Sequence, residues 1–160
     1  MFDLKTLSHE AVPRALAKAE RYRLLNEPGE AESICLDALE TDPDNQEALA
    51  MLLLALTDQF AGNPRRFSDA WNTVVRLRDD YERAYYTGII YERRAKALLA
   101  HHTPRGGSRA YEWIREAMVN YERAEAIRPP NNDDALLRWN ACASLLMRLP
   151  EPVIEDTFVP

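Results

Sequence analysis

No stretch of this chain shows the sustained polar–apolar alternation of a half-buried strand, and its long segments are rich in Ala, Leu, Glu and Arg, residues that lose little freedom in a helix. Helix boundaries are marked by local chemistry. Asn63-Pro64 offers a cap followed by proline at the first helical position, where a missing N–H costs nothing. Asp44 to Glu47 and Asp79 to Glu82 read as capping boxes, Ser108 and Asn132 as further caps, and Pro28-Gly29 as the first turn. These signals predict helices at about 9–26, 29–41, 45–60, 64–78, 81–101, 108–127 and 133–148, with a short N-terminal helix over 2–7. The expected fold class is all-α.

The helices carry a repeat. Ala31, Ala38 and Pro43 recur as Ala117, Ala124 and Pro129, with spacings of seven and five residues both times. Seven residues is two helical turns, so the two alanines share a face and let a neighbouring helix approach, and the proline stops the helix. Ala70, Val74 and Leu77 form a weaker copy without the proline. In these residues the chain resembles the tetratricopeptide-repeat (TPR) family. Repeat one matches with Ala19, Tyr22, Ala31, Cys35, Ala38 and Pro43; repeat three with Gly88, Tyr91, Ala117, Tyr121, Ala124 and Pro129. Repeat two departs from the motif, with Leu53, Leu56, Phe67, Ala70, Val74 and Leu77. Repeat three holds an insertion, His101 to Arg109, so that Gly88 precedes Ala117 by 29 residues where Ala19 precedes Ala31 by 12.

The resemblance implies a right-handed solenoid of about seven antiparallel helices over residues 1–148, with repeats at about 13–44, 45–80 and 81–131. A capping helix at 133–148 and an acidic, proline-flanked tail at 149–160 follow. It further implies a non-catalytic scaffold or adaptor that holds a peptide or helix in a concave groove lined by the first helix of each repeat. The groove residues implied by that register are Leu16, Glu20, Arg23 and Leu24; Ala50, Leu54, Thr57 and Asp58; Tyr85, Ile89, Glu92 and Arg93; and Leu136 and Asn140. The TPR clamp for acidic chaperone tails uses Lys and Asn where repeat one has Leu16 and Glu20, so such a tail is not the expected guest. A small escort chaperone for a secreted or assembling client is the alternative suggested by size and acidity.

Composition narrows the partners. A net charge of −6 disfavours general nucleic-acid binding. Charge is uneven: Glu27 to Asp58 holds nine acids and no Lys or Arg, whereas Arg93 to Arg128 holds eight Lys or Arg and four Glu. The longest apolar run, Ala48 to Leu56, is nine residues and too short to span a membrane. No secretory signal is legible at the N-terminus, and a cytoplasmic location is the expectation. Cys35 and Cys142 sit among apolar neighbours and read as buried thiols. Trp71, Trp113 and Trp139 fall within amphipathic helices and read as core, with one as a groove anchor as the alternative.

Little else suggests chemistry. Adjacent histidines do not share a helix face, so His101-His102 reads as a polar loop and not a metal site. Arg105 and Arg109, with the Gly106-Gly107 amides, offer an anion site, the basis of a less favoured reading as an anion- or nucleotide-binding enzyme. No catalytic residue, metal or cofactor is implied. The tail, with Ile154 and Phe158 among three acids, reads either as a loose end or as an extended peptide docked in cis or on a second copy near the basic third repeat.

Overall fold

The computed structural model describes residues 1–102 and 105–150. After a 3₁₀ turn at His9–Ala11 come α1 (Val12–Leu24), α2 (Pro28–Thr41), α3 (Gln46–Thr57), α4 (Arg66–Val74), α5 (Asp80–Ala100), α6 (Gly106–Ala126) and α7 (Asp134–Leu146). No strand occurs among the described residues, so the fold is all-α. None of these helices is long and apolar enough to cross a membrane.

Several boundaries differ from the sequence expectation, each for a local reason. Residues 2–7 are not helical. They are exposed as far as Leu7, whose carbonyl accepts from Thr41 Oγ1 at 2.8 Å. The turn after α1 is made by Asn26, not Pro28-Gly29. Asn26 takes a positive φ of 59°, the Glu27 N–H bonds to the Tyr22 carbonyl at 2.8 Å, and the Asn26 N–H to that of Arg23 at 2.9 Å. This is a Schellman ending, with asparagine tolerating the left-handed conformation that glycine usually takes. Pro28 then opens α2, as proline can at the first helical position.

The cap of α3 is Asn45, one residue later than expected; its Oδ1 accepts from the Ala48 N–H at 2.9 Å. Asp79 caps α5 as expected, accepting from the Glu82 N–H at 2.9 Å. Asn63 accepts from the Arg65 N–H at 3.2 Å, but Pro64 and Arg65 stay in a turn and α4 begins at Arg66. Ser108 lies inside α6, which begins two residues earlier. Asn132 stands outside α7, yet its side chain accepts from the Asp134 N–H at 3.0 Å and does the work of a cap.

Each helix packs mainly on its neighbour in sequence, and α1 on α3 and α3 on α5 also meet. The alanines of the repeat make this approach feasible. Ala19, Ala31, Ala38, Ala70, Ala117 and Ala124 are all fully buried. Two apolar clusters result, one around Leu16, Leu49, Leu53 and Leu77 and one around Ile114 and Tyr121; Tyr86 packs against both. The three tryptophans are not core residues but sit half-buried on its rim. Trp71 meets Phe67 and Tyr91 edge-on, and Trp139 Nε1 donates to Glu122 at 2.9 Å.

Cys35 and Cys142 are buried free thiols. Burial pushes each thiol up to about 12, so the nucleophilic thiolate is scarce at neutral pH. Neither cysteine is expected to react with a disulfide exchange reagent in the native protein, while both react in denaturant. Rapid native labelling of either would contradict the packing of α2 or α7.

Candidate functional site

The odd-numbered helices α1, α3, α5 and α7 are joined by charged side chains. From α1, Arg23 reaches Asp58 at the end of α3 with both arms of its guanidinium: Nε to Oδ2 at 2.7 Å and Nη2 to Oδ1 at 3.2 Å. Arg93 of α5 approaches the same carboxylate at 3.6 Å. The fork geometry of arginine suits such a two-point contact. One acid thus serves two guanidinium groups. Arg93 is the looser of them, with its side chain 42% exposed.

A second knot lies one residue back on α5. Glu92 is 1% exposed. The Tyr121 hydroxyl of α6 donates to its Oε2 at 2.6 Å, Lys96 Nζ to its Oε1 at 2.6 Å, and Arg138 of α7 to both oxygens, Nε at 3.1 Å. Burial alone would raise the carboxyl pKa, but the hydrogen bonds from Arg138, Lys96 and Tyr121 outweigh it and hold Glu92 below its ordinary 4.5. Arg138 is shifted upward by the same bonds, against its own desolvation.

The structure sorts the expected groove residues into four groups. Arg23, Asp58 and Arg93 are brought together in the row just described. Glu20 and Leu24 stand exposed beside Arg23 on α1, while Ala50, Leu54 and Tyr85 are half-buried on α3 and α5. Leu16, Thr57, Ile89 and Glu92 are buried and belong to the packing, so they are not lining residues open to a guest. Leu136 and Asn140 are separated from the row. They share a shallow notch with Glu122 and Glu125 of α6, whereas α7 turns Arg138 toward α5. The reason is angular: residues 136 and 138 lie about 200° apart around a helix, so one register choice cannot serve both.

Sequence reasoning missed Lys96 and Arg138. Lys96 had a legible signal, its i,i+4 spacing from Glu92. Arg138 had none, because its partner is 46 residues away. Arg105 and Arg109 are exposed one turn apart at the start of α6, and Arg109 lies 6.0 Å from the Trp113 ring. His101 is engaged elsewhere, its Nε2 2.8 Å from the Ala61 carbonyl, which ties the α5–α6 corner to the α3–α4 corner.

Comparison with protein-family models, with curated proteins and with solved structures finds no match to this chain.

Proposed function

We propose that this chain is a three-repeat TPR-type right-handed solenoid closed by α7, and that it works without catalysis, by holding a peptide or helix against the face of its odd-numbered helices. The fold reading is supported by the buried alanines and by the seat of Gly88 against Tyr121, the small and large positions of repeat three. The observation that carries the binding reading is the charged row. Four cations, Arg23, Arg93, Lys96 and Arg138, share two carboxylates, Asp58 and Glu92. That leaves a local surplus of positive charge in a chain of net charge −6. Arg93 and Lys96 line a notch of about 200 Å³ with Asp58 and Ala100, and Leu24, 81% exposed, adds an apolar contact on α1. An acidic side chain flanked by apolar ones complements this surface.

The test is affinity capture from native lysate with mass spectrometry, followed by titration of the captured protein. Leu24→Asp and Arg93→Gln are each expected to weaken binding at least roughly tenfold, about 1.4 kcal/mol, with the helical spectrum unchanged. Equal retention by the parent and by both variants would place the partner on another surface and end the reading.

A further inference from the structure

A second notch lies beside the first, sharing Phe60 and Ala97 with it, where the ends of α3 and α5 meet the starts of α4 and α6. It encloses about 200 Å³ between Phe60, Phe67, Leu98 and Trp113, with Arg94 and His101 as its polar members and, among the described residues, no acid in its lining. The Arg94 guanidinium is held between two rings, 3.6 Å from the Phe67 centroid and 4.1 Å from that of Trp113. Such stacking fixes the plane of the group and occupies its faces, leaving the N–H edge to a ligand. Among the described residues neither Arg94 nor Arg109 pairs with a carboxylate, whereas Arg66 and Arg93 do. Burial, and then the charge of Arg109, lowers the pKa of Arg94. An anion here would relieve both. The notch therefore asks for an apolar, preferably aromatic, side chain next to an acid.

The chain carries such a segment, and topology delivers it to this edge. Tyr81 at the start of α5 bonds to Asn132 just before α7, and Glu92 further along bonds to Arg138, so α5 and α7 run in the same direction. The end of α7 accordingly reaches the same edge as Leu98 and His101. Beyond Pro150 the sequence reads Glu-Pro-Val-Ile-Glu-Asp-Thr-Phe-Val-Pro, residues 151–160, which lie outside the described residues. The eight residue-to-residue steps from Pro150 to Phe158 can span on the order of 28 Å when extended. The notch is one to two helix spacings from α7, roughly 10–20 Å.

We propose that this C-terminal segment docks in cis on the notch, Phe158 entering against Phe60, Leu98 and the edge of Trp113 and the Glu155-Asp156 pair meeting the guanidinium edges of Arg94 and Arg109. The docking stands independently of the groove reading, since none of the charged row lines this notch and the two notches share only Phe60 and Ala97.

Amide and indole NMR on the full chain tests it. The Trp113 indole resonance is expected to move in Phe158→Ala and in the Glu155→Gln/Asp156→Asn pair, with that of Trp139 unchanged. Hydrogen exchange at residues 154–158 is expected to be roughly tenfold faster in Arg94→Gln than in the parent. The exposed Arg109→Gln replaces that variant if the Arg94 change unfolds the corner. A Trp113 resonance indifferent to both tail variants would overturn the proposal, as would equal exchange in parent and arginine variants. Shifts that appear only as concentration rises, with a doubled mass, would give the notch to the tail of a second copy and overturn docking in cis.

Discussion

Replacing Glu92 by methionine is expected to lower the unfolding free energy by about 3 kcal/mol and the melting temperature by about 6–12 °C. The side chain is buried and accepts from three donors on three helices. Methionine keeps the volume and removes every acceptor. The cost is not shared equally. The side chains of Lys96 and Arg138 are 45% and 34% exposed and can turn to water, so the loss of their bonds is cushioned. The Tyr121 hydroxyl cannot escape, because the residue is 0% exposed. A stranded buried hydroxyl costs about 1–3 kcal/mol by itself, and charge-assisted bonds add to that. Thermal melts of Glu92→Met against the parent check the figure. A change within about 0.5 kcal/mol, ordinary for a surface site, would mean that α6 and α7 are not fastened through Glu92.

The same carboxylate predicts a pH dependence. Its folded pKa is depressed below 4.5, so its contribution is fully present above that value and is lost as pH falls through the folded pKa. In Glu92→Gln the group cannot ionise. The stability gap between parent and Glu92→Gln is therefore expected to be constant near neutrality and to close below pH 4.5. Denaturant titrations at a series of acid pH values read this directly, and a gap that stays constant into strong acid would show that the charge of Glu92 is not what stabilises the fold.

Gly88→Ala is expected to destabilise by about 2 kcal/mol, although alanine is the better helix former by about 1 kcal/mol. A methyl built on Gly88 would lie 2.5 Å from Tyr121 Cε1, 2.7 Å from Cδ1 and 2.9 Å from Cζ. The ring has no room to yield, since Tyr121 is held by Glu92 at its hydroxyl and packs on Tyr85 at a centroid distance of 5.9 Å. Either α5 and α6 move apart or the ring leaves its rotamer, and each loses contacts along two 21-residue helices. Gly29→Ala is the control. Nothing lies within 4 Å of a methyl there, so that variant is expected to gain about 0.4–1 kcal/mol. Parallel melts decide the matter: a neutral or stabilising Gly88→Ala would mean the α5–α6 seam is looser than its geometry.

How much of this was legible beforehand differs from residue to residue. The helices were readable because their signals are local: Asp79 caps α5 through a bond three residues away, and prolines 43 and 129 follow the ends of α2 and α6. The buried alanines were readable because their spacing repeats. The turn at Asn26 was missed, since an asparagine in the left-handed region looks like any polar residue in a string of letters.

The sequence by itself determined that the chain is helical, where most helices begin and end, and which small residues line their seams, because capping, proline geometry and periodicity act over a few neighbouring residues. Only the tertiary structure decided which exposed-looking positions stay open. Tyr85, Ile89 and Glu92 fall on one face of α5 by spacing alone. The packing of α6 on that face, with Arg138 reaching in from α7, buries Ile89 and Glu92 and leaves Arg93, one residue on, at the surface. Burial and charge pairing depend on partners 29 and 46 residues away in the chain, and no local pattern encodes where such partners will arrive.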